Sequence, residues 1–342
     1  MRFHEANMKR QLAYGVSQGS PCAFEVEVRL DDAVDQHGRS TIAQQNAMTK
    51  IQKKLVALAL GLLLGVPGLA RADVNFDFTT IDVPGSTSTA ANGNSTHEIA
   101  GQFDDVGGNT HGFVLRGGVG GVYTTIDKPG ASLTIVNGIS ANGQLAGTYQ
   151  DPVPGSGFHA YFWSKGVFTT LDPPGSVRSQ GGFLNAQGQV VGTYRTNEQR
   201  RHGFIWRKGV FTTFNVPNDH PILGTVALGI NDPGQIVGDY VDTDGNRHGF
   251  LLSQGVYTTL DVPGASLTVA QGINNAGVIV GLYDDAAGND HGFIFSRNVF
   301  TPIDVPNSTM TRIFSINAQG EIVGSYDDAN GVTHGYVGTP TR

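Results

Sequence analysis

One pattern is written six times between residue 76 and the end of this chain, and it limits the possible folds more than anything else in the sequence. An Asp-x-Pro anchor falls at Asp82, Asp127, Asp172, Asn215, Asp261 and Asp304, and a His-Gly-Phe type anchor at His111, His159, His202, His248, His291 and His334. Both recur every 43 to 48 residues. A repeat of that length, rich in glycine and β-forming residues and without helical periodicity, is the signature of a radially repeated sheet. The expected fold is all-β: a six-bladed β-propeller of four-stranded blades.

The fifth unit shows how a blade is written. Strands are expected at Thr268–Asn274, Val278–Tyr283, Gly292–Ser296 and Phe300–Asp304, each bounded by turn residues such as Asn275, Gly277, Gly288 and Asn298. Glycines recur inside strands at Gly147, Gly192, Gly238, Gly281 and Gly324. An interior glycine would weaken a strand unless something packs closely against its backbone. The expected intruder is the Phe of His-Gly-Phe from the neighbouring blade. Residues 76–82 read as a fourth strand without its first three, and residues 334–337 as a third strand without its fourth. The N-terminal strand is therefore expected to complete the last blade, which would remove two unpaired sheet edges.

Upstream of the repeats, Met48 to Lys54 is basic, Leu55 to Leu69 is apolar, and Ala70 to Ala72 has the small-x-small form of a cleavage site. Residues 48–72 thus read as a secretory signal peptide, too short in its apolar run for a membrane span. Translation is expected to start at Met48, with residues 1–47 a disordered or non-native extension and residues 73–342 the exported propeller. The sole cysteine, Cys22, lies in that extension, so the exported chain would have neither a disulfide nor a thiol nucleophile. After residue 72 there are 13 basic and 23 acidic residues, a balance that argues against a nucleic-acid partner.

The recurring polar residues put a ring of carboxylates (Asp105, Asp151, Asp242, Asp285, Asp328) and a ring of imidazoles (the six anchor histidines) on one face. A group needed in every blade does a job common to every blade, so these rings read as loop-building hydrogen bonds rather than chemistry. Asp242, Asp244 and Asn246 faintly resemble a calcium loop without its acidic last ligand, and no other cofactor is implied. Trp163 and Trp206 read as blade packing. Departures from the repeat are better candidates for a site. Where the third blade meets the fourth, Arg195, Glu198, Arg200, Arg201, Asp219 and His220 form a partly basic cluster able to hold an anion, such as a uronic acid or phosphate, through arginine forks.

The combination of Thr-Thr-Ile-Asp-x-Pro-Gly, Gly-Ile-Asn-x-x-Gly-x-Ile-Val-Gly and His-Gly-Phe resembles the bacterial family of extracellular HAF repeats, over about residues 76–338. Family-like positions include Asn94, Asn185, Asn231, Asn274 and Asn317, with Ser140 departing. The resemblance implies a secreted bacterial protein and carries no activity or catalytic residues with it. No nucleophile elbow, metalloprotease helix, phosphate loop or dinucleotide fingerprint occurs. The sequence therefore points to a secreted or periplasmic monomer that binds an extracellular polysaccharide or protein. Two alternatives stand beside it: an exported polysaccharide lyase or glycoside hydrolase with its site at the propeller mouth, and a structural envelope or matrix protein.

Overall fold

How a unit becomes a blade is visible in the fifth repeat of the structure, a computed structural model that describes residues 75–153 and 157–341. The extension 1–47 and the signal segment 48–72 lie outside the described residues. Strands run over Leu267–Ile273, Ile279–Asp284, Asp290–Ser296 and Val299–Ile303, paired antiparallel in that order from the axis outward. The third begins two residues earlier than expected, because Asp290 and His291 still pair with Asp284 and Tyr283. Asn274 closes the first hairpin: its Oδ1 accepts the N–H groups of Ala276 and Val278, both at 3.0 Å, and Gly277 takes φ +77°. The last hairpin turns on Arg297 and Asn298, both at positive φ, a turn whose twist matches that of its strands.

All six sheets repeat this order. The sixth takes its inner three strands from Met310–Ile316, Ile322–Asp327 and Thr333–Pro340 and its outer strand from Phe76–Ile81, so the ring closes as the sequence implied. Neighbouring blades bury their faces against each other. One core cluster joins Val237, Leu260 and Val262 of the fourth blade to Ala270, Ile273, Ile279 and Phe293 of the fifth. Trp206 packs on Phe162 of the second blade, ring centroids 5.2 Å apart, and Trp163 sits half-buried beside Phe168, both as packing residues.

The strand glycines admit an aromatic ring, but not the expected one. Gly281 lies directly opposite Phe293 of its own blade, and a Cβ there would stand 2.8 Å from the ring. The neighbouring blade instead approaches the inner-strand glycine, where a Cβ on Gly272 would meet the Phe314 carbonyl at 2.7 Å. At this position the next blade's backbone comes too close for a side chain, as it does at Gly93 and Gly229.

The first hairpin departs from the others. Asn94 pairs with Ile99, the place Ile273 holds opposite Ile279, and Ser95 N–H reaches the Glu98 carbonyl across a shorter turn. Asn94 is thus displaced by one residue from the family-like asparagine position, and Ser95 occupies that position. At four of the other blades the asparagine links neighbours: the amides of Asn185, Asn231, Asn274 and Asn317 donate to the carbonyls of Asn231, Asn274, Asn317 and Ser95 at 3.0 to 3.2 Å. Ser140 is too short for this bond, and its hydroxyl accepts from Gln144 within its own turn.

Each inner strand also carries a β-bulge, just before or around its glycine in five blades and before Ser315 in the sixth: between Ala91 and Gly93, Val136 and Gly138, Gly181 and Leu184, Ala227 and Gly229, Ala270 and Gly272, and Ile313 and Ser315. A bulge re-aims the extra residue. The skipped positions are Asn92, Asn137, Gly182 with Phe183, Leu228, Gln271 and Phe314, and all of them line the axis.

Candidate functional site

The loops between second and third strands and the connections between blades share one face, here called the histidine face. Each anchor histidine is clasped there by its own blade. His111 Nδ1 lies 2.8 Å from Asp127 and its Nε2 3.4 Å from Asp105, and its ring stacks on Phe103. His248 is held in the same way by Asp261 and Asp242, at 3.0 and 3.2 Å, and His334 closes the ring on Asp82 at 2.8 Å. In the third blade Asn215 replaces the anchor carboxylate and still meets His202 at 3.0 Å.

The loop carboxylates turn inward on their own loops. Asp242 Oδ1 accepts the N–H groups of Asp244 and Asn246 at 2.9 and 2.8 Å, while its Oδ2 accepts from the Asn246 amide. Asp105 and Asp285 make the same bonds. The loop of Asp242, Asp244 and Asn246 therefore has the same geometry as its counterparts, and no cluster of three metal-ligating side chains occurs among the described residues.

These clasps make stability depend on pH. Hydrogen bonding to Asp127 raises the pKa of His111, and the carboxylates around His248 and His291 raise theirs against the opposing effect of partial burial. A histidine with a raised pKa contributes stability below its unfolded pKa, near 6.5, and loses it as pH rises through the folded value. Hydrogen bonds from Asn289 and Asn109 lower Asp285 and Asp105 to about 2, so their contribution is present above the unfolded value and lost in acid. The melting temperature should be highest at about pH 5 and fall toward about pH 8. Thermal melts across that range test this, and a melting temperature that rises from pH 6 to 8 would contradict it.

The expected basic cluster is brought together in part. Arg200 Nη2 meets Asp219 Oδ1 at 2.9 Å, and the Asp219 side chain is 2% exposed, its other oxygen accepting from Thr225 at 2.7 Å. His220 Nδ1 accepts the N–H groups of Ile222 and Leu223, which shapes the long connection. These three residues hold the third blade to the fourth, while Glu198 is exposed on its loop. Arg195 and Arg201 lie opposite each other on adjacent strands.

The feature that sequence reasoning missed is central. At the histidine-face end of the axis the bulged residues enclose a cavity of about 360 Å³. Around the ring the six read Asn92, Asn137, Phe183, Leu228, Gln271 and Phe314, so that two amides stand side by side and the third lies between Leu228 and Phe314, and Gln180 and Phe158 line the same cavity. Asn92 and Asn137 each donate to a carbonyl of the next blade, at Val136 and Gly181, which fixes their orientation. No ionisable side chain is among the described residues lining this cavity. The residues themselves carried a trace of it: polar Asn92, Asn137 and Gln271 stand within inner strands at the position where other blades have Leu228 and Phe314.

One carboxylate pair lies outside the clasps. Asp284 and Asp290 are directly opposite in the fifth blade, and Arg312 reaches Asp290 through Nε at 2.6 Å. Burial and the hydrogen bond to Asp290 push Asp284 up to about 6. Burial opposes a drop at Asp290, but Asp284 and Arg312 still hold it low.

No protein-family model matches the sequence, and no curated protein matches it significantly. Solved structures do match in fold. The SapL1 lectin, solved with α-methyl fucoside, aligns at 11% identity with a TM-score of 0.51, over 74% of this chain and 93% of that one. The six-bladed fucose-binding lectin of Aleuria aurantia aligns at 15% identity and 0.44, over 76% and 93%. The β-propeller domain of the trilobed protease of Pyrococcus furiosus aligns at 8% and 0.46, over 74% and 95%.

Proposed function

We propose that the protein is an exported, non-catalytic binding propeller, a monomer that takes a saccharide at the axial cavity of its histidine face. The lining of that cavity carries the reading. Oriented amides can pair with sugar hydroxyls as both donor and acceptor, phenylalanine rings suit the C–H faces of a sugar, and the volume fits a small ligand rather than a protein surface. A lyase or hydrolase needs a positioned proton carrier, and the described lining offers none. That propellers of similar fold include lectins is in keeping with a saccharide ligand. Export is supported by the signal-type segment 48–72 and by the resemblance to extracellular HAF repeats.

The test is to incubate the purified protein, with divalent metal present, with a panel of neutral and acidic polysaccharides, following both binding and release of reducing ends. Saturable binding without new ends is the expected outcome. Release of ends, or of unsaturated sugar products, would assign catalysis instead, and an absence of binding across the panel would leave the structural-protein alternative ahead.

A further inference from the structure

Three arginines stand in one row across the third blade, and like charges directly opposite each other destabilise a sheet. Arg178 on the inner strand pairs with Arg195 on the second, and Arg195 pairs with Arg201 on the third. Side chains opposite one another point to the same face of a sheet. One pleat deeper on that face are Gln180 and Thr193, both of which line the axial cavity. Thr193 Oγ1 accepts the Ala227 N–H, so the face is turned toward the fourth blade.

The same row in other blades is neutral, internally satisfied or has its counter-charge: in the fourth, Arg247, the counterpart of Arg201, is bound to Asp239, and in the fifth, Asp290 is bound to Arg312 of the sixth blade. In the first blade Asp104 accepts from Ser88 and Thr110 at 2.8 and 2.7 Å, and in the second the row reads Leu133, Gln150, Phe158. Blade architecture therefore does not require arginine here. Among the described residues none of the three has a carboxylate within salt-bridge distance, and Arg195 makes one bond, to the Gln199 carbonyl at 3.3 Å. The nearby carboxylate is Asp239, whose Oδ2 is bound to Arg247 Nε at 2.6 Å and whose charge only partly offsets the burial that lowers the Arg201 pKa. Partial burial and the neighbouring guanidiniums lower the Arg195 pKa, the mark of a charge without its counter-charge.

We infer that the row Arg178–Arg195–Arg201 is an anion site at the cavity mouth, and that the saccharide taken there is acidic, its carboxylate on the guanidiniums and its ring over Gln180 and Gln271. This inference rests on the binding reading above and names its ligand class. A carboxylate presents two coplanar acceptors that match a guanidinium fork, and it would neutralise the row's mutual repulsion.

The experiment is calorimetric titration of uronic-acid oligosaccharides and their neutral counterparts into the protein, Arg178→Gln and Arg195→Gln, with thermal melts of each. Acidic oligosaccharide should bind the parent protein at least about tenfold more tightly than the neutral one. Either substitution should remove that preference while leaving the melting temperature unchanged or higher, since a repulsion is relieved. Three results would overturn the inference: equal affinity for acidic and neutral sugars, substitutions that leave acidic binding intact, or substitutions that lose binding and melting temperature together, which would make the row structural. If neutral sugars bind and acidic ones gain nothing, the anion site falls and the binding reading stands. If no saccharide binds, both fall.

Discussion

Deleting residues 75–82 is expected to unfold the ring, not merely to trim it. Those residues form the outer strand of the sixth blade, paired from Phe76 opposite Pro340 to Ile81 opposite Gly335. Ile81 is 2% exposed within a cluster that includes Ala91, Phe113 and Val337, and Phe78 meets Tyr336 edge-on at 5.6 Å. Loss of the Ile81 side chain alone would cost about 2 to 5 kcal/mol, against a total stability of about 5 to 15 for a domain. The deletion also removes Asp82 from His334 and leaves Thr333–Pro340 as a bare edge beside apolar surface. The truncated protein should therefore lose its cooperative thermal transition and elute as aggregate on size exclusion. A monomer melting within a few degrees of the full chain would show that the ring does not depend on this closure.

The closure was legible because it follows from counting: a leading strand without partners and a trailing blade one strand short can satisfy each other. Turn residues were legible for the same kind of reason, since Gly277 and Asn298 have few conformational alternatives, but Asn274, expected to end a strand, is the residue that closes the hairpin in place of Asn275. The axial cavity was not. A bulge is set by how closely inner strands approach each other, and nothing in the residues Asn92, Asn137 or Gln271 themselves says that they leave the ladder. The arginine row was half legible. Arg195 and Arg201 stood out against an acidic chain, but their partner Arg178 is distant in sequence and joins them through strand register. Arg200 and Asp219, grouped in the sequence as members of one anion-holding cluster, bond to each other, because the long connection at residues 217–224 needs an anchor against the third blade.

The strand glycines separate two explanations that the sequence alone left joined. Each stands opposite a fully buried ring of its own blade: Gly101 faces Phe113, Gly147 Tyr161, Gly192 Phe204, Gly238 Phe250, Gly281 Phe293 and Gly324 Tyr336. Replacing Phe293 by Ala should destabilise by about 3 to 5 kcal/mol, because the rigid neighbouring strands cannot collapse into the space. Gly281→Ala should also destabilise, by about 1 to 3 kcal/mol, since its Cβ would press on both the Phe293 ring and the Val269 carbonyl. The double variant decides between the two contacts. If the glycine exists to admit the ring, the double variant should be less destabilised than the sum of the singles, by more than about 0.5 kcal/mol in denaturant melts. The Val269 carbonyl belongs to the backbone and remains in place in every variant, so additive effects would mean that backbone approach alone demands glycine. The ring would then be an occupant of space that the strand spacing had already created.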